Sequence, residues 1–298
     1  YSIFDLLANE VAENKIIIFL IEEPENHLHK SMQIALSKIL FNDKKYTYLF
    51  ISTHSPYILY EMDFVNLIRI YNKTKLNTAS SLYEVPIEYH QQKKRLNKNL
   101  AEAIFSDKVL LVEGISEVLL FEKILNTINS FYEANGIYIL PINGIGFENY
   151  YKILKTLNIK CFIKTDNDLR SPKSNTKTGY SVLSFFRINK LINENLLPLK
   201  KISTNTLSRK KTLYEDNKEI LDQIRNKHNI FLSEIDLEND LYEVLKDSLK
   251  KYFPKNDPVK YLQKSKHYNM VELIERLTIE DCMKVYNHYN FAFLKELI

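Results

Sequence analysis

Glycine is scarce in this chain, with five among 298 residues: Gly114, Gly136, Gly144, Gly146 and Gly179. A loop that cradles nucleotide phosphates in the pattern GxxxxGK[ST] needs a glycine followed by lysine, and none of the five is. The chain therefore contains no such loop. Cysteine is scarcer still. Cys161 and Cys282 form no CxxC or Cys/His spacing, which excludes a disulfide framework and a zinc site and makes a reducing, cytoplasmic setting the expectation. Long apolar runs are missing too: IIIFLI at Ile16–Ile21 falls far short of the roughly 20 residues that span a bilayer. The sequence opens on Tyr1 with SIFDLLANEVAENK, which reads as a helix over 2–14 and carries no signal-peptide pattern, so the expectation is a piece of a longer protein. A single-sign charge excess is small as well. The net +4 does not diagnose a nucleic-acid partner, although the local clusters HQQKKRLNK (90–98) and LKKISTNTLSRKK (199–211) can meet phosphates; each also reads as a solvated face.

What is present is ordinary for a globular chain, with 45 % apolar and 26 % charged residues, and the length exceeds what one core usually organises. Helix and strand signals alternate. Strands at Lys15–Ile21 and YTYLFIST flank a helix from about Leu28 to Leu40, and strand-like pieces NLIRIYN and SSLYEVP follow. A polar, basic stretch, EYHQQKKRLNKNLAEA, then suggests a connecting helix. The pattern restarts with the strands KVLLVE, GIYILPI and KCFIKTD separated by helical segments, and beyond Lys190 it is mostly helical. This βαβαβ order predicts an α/β fold with parallel sheets and a helical carboxyl-terminal region. The expected division is 1–87, a linker helix 88–104, and 105–298. No internal repeat or low-complexity tract is present.

Two constellations carry chemistry. In IIIFLIEEPENHLH a strand ends in Glu22 and Glu23, and about 30 residues on LFISTHSP ends a second strand at Thr53, His54 and Ser55. Parallel strands deliver side chains to their carboxyl edge, where one carboxylate can hold a Mg²⁺ water shell, the next can polarise water, and a histidine can contact a γ-phosphate. Taken singly, each is also a charged strand end meeting solvent. In LLVEGISEVLLF, Glu113 ends a strand, Gly114 permits a tight turn, and Glu117 lies in the first helical turn, where an acid also suits the helix dipole. In CFIKTDNDLR, Asp166 and Asp168 close the third strand and are two residues apart, so they point the same way in an extended segment. Four carboxylates on one edge disfavour joint ionisation unless cations are present, and an all-oxygen set suits Mg²⁺ or Mn²⁺.

Strand-EEPE(N)xLH followed by strand-STHSP resembles the Walker B, D-loop and H-loop portion of ABC-type ATPases. Strand-EGxxE followed about 50 residues later by strand-DxD resembles a Toprim domain, and the turn LPINGIGF and the stretch NKNLAEAIFSDKVLLVEG fit that pattern. The two in this order resemble the OLD (overcoming lysogenization defect) nucleases, a family that includes the nuclease subunit of Gabija phage-defence systems. The resemblance implies the carboxyl-terminal part of an ABC-type ATPase over 1–87 and a Toprim nuclease domain over 105–298. By it Glu22, in place of the more usual Asp, stands at the Mg²⁺-associated acid, Glu23 at the catalytic acid, and His54 at the switch histidine, with ATP bound only if a P-loop half is supplied. It implies a two-metal Mg²⁺ or Mn²⁺ centre of Glu113, Glu117, Asp166 and Asp168 that cuts DNA. Glu238, in SEIDLENDLYEVL, resembles the acid of a second metal site, though a helix-capping pattern using Asp236 or Asp240 fits as well. Lys264 or Lys266, in YLQKSKHYNMVELI, resembles a basic residue that steadies transition-state charge, and Lys266 is preferred. A homo-oligomer built through the ATPase half, a helicase-like partner and no membrane contact are also implied. The alternatives are a non-catalytic, ATP-regulated DNA clamp of RecF/SMC-like type and a strand passer using one of the 20 tyrosines.

Overall fold

A computed structural model describes residues 16–42, 46–62, 65–73, 75–83, 93–144, 146–171 and 179–298. The helix expected over 2–14, the start of the basic stretch (88–92) and the end of SSLYEVP lie outside the described residues. The chain divides into two compact units, one up to Phe105 and one from Ser106.

In the first unit β1 (Ile18–Glu22) and β2 (Tyr48–Ser52) pair in parallel, Ile18 opposite Tyr48 and Glu22 opposite Ser52, with helix α1 (Lys30–Asn42) as the crossover. Side chains alternate across the pair. Ile18, Leu20, Tyr48 and Phe50 stand on its exposed side. A 3-10 turn, Pro56–Leu59, follows β2, and Ser55 caps it by accepting from the amide of Tyr57 at 3.2 Å. Helices α1 and α2 (Lys93–Ile104) pack on this turn, so the described part of the expected linker is a helix of the first unit. The two strand-like pieces expected after β2 both fall on strands. They form an antiparallel hairpin, β3 (Val65–Lys73) with β4 (Lys75–Tyr83), because strands joined by so few residues cannot make the crossover that parallel pairing requires.

The second unit is built on four parallel strands in the order β10-β7-β5-β6: β5 (Lys108–Val112), β6 (Ile137–Pro141), β7 (Lys160–Thr165) and β10 (Ile230–Leu232). Helix α3 (Ile115–Ile128) leads from β5 to β6 on one side, and α4 (Phe147–Thr156) leads back to β7 on the other. The order reverses at β5. In open parallel sheets that reversal leaves a crevice at the strands' carboxyl ends, here between β5 and β7. The runs VLLV and CFIKT are buried throughout, as a sheet covered on both faces demands.

A short hairpin, β8 (Leu169–Arg170) with β9 (Ser181–Val182), precedes helices α5 (Leu183–Ile192), α6 (Leu207–Glu215) and α7 (Lys218–His228). After β10 come α8 (Leu237–Tyr252), α9 (Pro258–Lys264), α10 (Lys266–Arg276), α11 (Ile279–Asn287) and α12 (Phe293–Leu297). These last helices close the core over α3: Phe293 meets Phe121 edge-on at 5.1 Å and Phe231 at 5.4 Å. No helix among the described residues is long and apolar enough to cross a membrane.

One ion pair is wholly internal. Lys164 Nζ donates to Asp240 Oδ2 at 2.7 Å and to the carbonyl of Asn290 at 3.3 Å, with both charged side chains buried. Removing one partner of such a pair strands a charge in low dielectric. Asp240→Ala is expected to destabilise the second unit by about 3–5 kcal/mol, read from the urea midpoint of its unfolding transition.

Candidate metal centre at the edge of the parallel sheet

In the first unit the two sequence motifs meet. Glu23, directly after β1, adopts a left-handed backbone (φ 41°), which a non-glycine residue rarely takes without compensation, while its amide donates to the carbonyl of Ser52 at 2.9 Å. That bend aims its side chain at His54. Glu23 Oε1 lies 3.6 Å from His54 Nε2, and Glu23 Oε2 accepts from Asn26 Nδ2 at 3.0 Å. Glu22, opposite Ser52, is exposed. The junction is locked by Glu25, a residue the sequence reading quoted but gave no role. Its carboxylate accepts from Thr53 Oγ1 at 2.8 Å and from the amide of His54 at 2.7 Å.

In the second unit the register of β5 on β7 (Leu111 opposite Ile163) carries Glu113 to Thr165. Glu113 Oε1 accepts from Thr165 Oγ1 at 2.8 Å, from the amide of Asp166 at 3.2 Å and from Arg187 Nη1 at 2.6 Å. Asp166 is buried and turned toward β10 and α8, accepting from the amide of Leu237 at 3.1 Å. That contact places it beside Glu238, in the first turn of α8, which is 1 % exposed. Lys266 opens α10 and sets its Nζ 3.5 Å from Glu238 Oε1, whereas Lys264 ends α9 and makes no ion pair among the described residues. Asp236, not Glu238, caps α8 by accepting from the amide of Asn239 at 2.9 Å. The side chain of Glu238 is thus free of capping duty. Asp168 turns the other way, to Arg187 Nη2 at 3.0 Å.

The charges respond as crowding predicts. Burial, then the Glu113 carboxylate, hold Asp166 well above the usual carboxylate range, with Lys266 opposing and Glu117 and Glu238 adding to the rise. Burial likewise raises Glu117 and Glu238, Lys266 tempering both. For Lys266, burial pulls downward, but Glu238, Asp166, Glu117 and Asp236 together raise it, so it stays cationic.

Gly114 differs from expectation. Its backbone is extended (φ −156°), and a Cβ there would meet only Glu117 Oε2 at an ordinary 3.6 Å, so the turn does not require glycine. The left-handed backbone that does falls at Gly144 and Gly146, in the turn after β6. Three residues escaped the sequence reading. Arg187 bridges Glu113 and Asp168 and also donates to Thr165 Oγ1. Asn167, fully buried between the two aspartates, donates to the carbonyls of Glu234 (2.9 Å) and Lys210 (3.2 Å) and accepts from Ser184 Oγ (3.1 Å). Thr165 supplies the hydroxyl to Glu113. TDND itself hinted at Asn167, since a polar residue between two acids at a buried strand end must find partners, while nothing in the sequence signalled Arg187.

Among the described residues no three His, Cys, Asp or Glu side chains stand close enough to hold one metal ion, because Arg187 holds Glu113 and Asp168 and Lys266 draws Glu238. The donor set nevertheless fits a hard divalent cation. All donors are carboxylate oxygens, and Glu238 Oε2 is buried with no hydrogen-bond partner among the described residues, an orphan that a cation satisfies.

Comparison with known proteins agrees with the division into units. Residues 104–168 match the family described as Overcoming lysogenization defect protein-like, TOPRIM domain, and residues 2–59 match the AAA ATPase domain family. The chain is similar to Endonuclease GajA of Bacillus cereus strain VD045, at 48 % identity over 308 residues, covering all of this chain and 53 % of that protein. It is also similar to Endonuclease GajA of Bacillus cereus strain HuB5-5, at 25 % identity over 215 residues, covering 60 % of this chain and 30 % of that protein. The chain thus spans about half the length, or less, of these relatives. Among solved structures, the C-terminal region of the Burkholderia pseudomallei OLD protein aligns with a TM-score of 0.37 at 17 % identity, over 65 % of this chain and 95 % of that one.

Because Asp166, Glu117 and Glu238 hold protons more tightly in the fold than in an unfolded chain, the native state binds more protons, and their contribution to stability falls as the pH rises above the ordinary carboxylate range. Glu238→Gln removes one of the three. Metal-free, it is expected to raise Tm relative to wild type at about pH 7.5 and to give little or no gain near pH 5, since the penalty it relieves is that of ionisation. Circular-dichroism melts across this range measure it, and an equal gain at both ends would count against the assignment.

Proposed function

The chain belongs to the OLD (overcoming lysogenization defect) family, and on that footing we propose that its second unit is the nuclease part of a divalent-metal-dependent DNA endonuclease regulated by an ATPase. The observation that carries this reading is the meeting of Glu113 and Asp166 at the reversal point of the parallel sheet, with Glu238 and its orphaned oxygen beside them. Glu113, Glu117, Asp166, Asp168 and Glu238 are the residues that would hold two Mg²⁺ or Mn²⁺ ions. Ions bound there supply an activated water and charge stabilisation on the departing oxygen of a phosphodiester.

The chain's own groups do the rest. Asp166 is held by the amide of Leu237, and Glu113 by Thr165 and the amide of Asp166, so one oxygen of each carboxylate has a donor from the fold itself. Lys266, kept cationic by its acidic neighbours and half exposed, is placed to meet negative charge building on a phosphoryl group. Lysines and Arg209 on and before α6 sit on a helix that Asn167 ties to the aspartate loop, which supports a role in holding the DNA backbone, with binding that weakens as salt rises.

In the first unit Glu22 would hold the Mg²⁺ water shell, Glu23 would polarise water and His54 would meet a γ-phosphate, provided a P-loop is supplied. Glu25 ties the last two groups into one rigid junction. On the resemblance to the OLD nucleases, we further propose a role in anti-phage defence, with a homo-oligomer formed through the ATPase half and a helicase-like partner protein.

Supercoiled plasmid with Mn²⁺ tests the reading. Nicking or linearisation is expected, and Asp166→Ala should abolish it, while Lys266→Ala should slow it by about 10²-fold or more. Equal cutting by Asp166→Ala overturns the assignment, as does a chain that neither cuts nor binds Mn²⁺ in calorimetry.

A further inference from the structure

Arg187 lies where the two acids on either side of the crevice face each other. Its fork joins Glu113, after β5, to Asp168, beyond β7, at 2.6 and 3.0 Å, and its guanidinium rests over the ring of Phe147 at 5.6 Å. Resting on the metal reading above, we propose that Arg187 is a resident counter-cation of the centre: a positioning residue that holds Glu113 and Asp168 before a divalent ion binds, and which that ion displaces.

Three observations carry this. First, Glu113 does not need Arg187 for hydrogen bonding, because Thr165 Oγ1 and the amide of Asp166 already donate to the same oxygen. The guanidinium supplies charge, and it occupies the space between two carboxylates that an ion would share. Second, the helix bearing it is anchored independently. The amides of Leu183 and Ser184 donate to the carbonyl of Asp168 at 2.9 and 3.2 Å, and Ser184 Oγ donates to Asn167. Arg187 is one turn further along α5, so it can leave the acids by side-chain rotation alone while the backbone of the aspartate loop stays tied. Third, its side chain is 21 % exposed and backed by an aromatic face, a platform on which a released guanidinium remains near the centre. Arginine suits the role because its planar fork presents separate donors to the two carboxylates in a fixed geometry, which the single ammonium of a lysine does not.

The arrangement trades metal affinity for order. With Arg187 in place the charge of the two acids is partly offset and they are held, and a divalent ion must compete with two charge-assisted hydrogen bonds. With it gone, the site is more negative and binds cations more tightly.

The test is Mn²⁺ titration of the full chain by calorimetry for wild type, Arg187→Met, Arg187→Lys and Asp166→Asn, with metal-free Tm as the check on folding. Arg187→Met is expected to tighten Mn²⁺ binding by about tenfold, which is 1.4 kcal/mol, while lowering the metal-free Tm. Arg187→Lys, which keeps the charge without the fork, should fall between Arg187→Met and wild type. Should Arg187→Met fail to fold, Arg187→Lys decides alone: tighter binding than wild type supports the proposal, and unchanged or weaker binding overturns it. Unchanged or weaker binding by a folded Arg187→Met overturns it too. If wild type binds Mn²⁺ and Asp166→Asn does not, such a failure leaves the metal centre standing. Absence of Mn²⁺ binding by wild type removes both.

Discussion

The pairing of β5 with β7 sets Glu113 against Thr165, and the hydroxyl of Thr165 and the amide of Asp166 then converge on one carboxylate oxygen. Most of the second unit's polar structure can be understood as compensation for what this brings about. Two acids from adjacent parallel strands stand at one sheet edge, a third enters from the first turn of α3 and a fourth from that of α8, and their mutual repulsion is offset by Lys266 and Arg187. The cations come from helices far along the chain. The edge is therefore assembled by the whole unit, not by the βαβ segment that supplies its first carboxylates.

The strands of that segment were readable because buried parallel strands announce themselves as short apolar runs, and their ends because a charge directly after such a run is conspicuous. Arg187 was not readable. LSFFRINKLI is an ordinary amphipathic helix, and its arginine meets Glu113 only after the chain has folded 74 residues back on itself. Asn167 was hidden for the opposite reason, lying between two acids that drew all the notice, although its three side-chain hydrogen bonds fasten the loop to α5, to α6 and to Glu234 after β10. NLIRIYN and the first four residues of SSLYEVP fall on β3 and β4 as read, but their antiparallel pairing was not legible, and KLNTA, with little apolar content, gave no strand signal of its own. Gly114 shows the converse error: a glycine in a motif suggested a backbone need, yet its extended conformation is open to any residue.

In the first unit the informative group is again one that bears no assigned chemistry. Glu25 receives the hydroxyl of Thr53 and the amide of His54, so the position of the histidine follows that of the EEPE turn. A change at either strand end is transmitted to the other through a carboxylate whose two oxygens are both engaged. Glu23 in turn lies 3.6 Å from His54 Nε2, so the two strand ends meet through two acids of the EEPE turn.

Lys164 and Thr165 are neighbours on β7, yet Lys164 reaches Asp240 within the helical layer while Thr165 serves Glu113 at the crevice. A slip of one residue in the pairing of this strand would exchange the two faces. It would turn a lysine into the carboxylate edge and send a threonine to meet a buried aspartate, leaving both sides uncompensated at once. Only one alignment of β7 satisfies the buried ion pair and the carboxylate edge together, and that alignment is the one that builds the crevice.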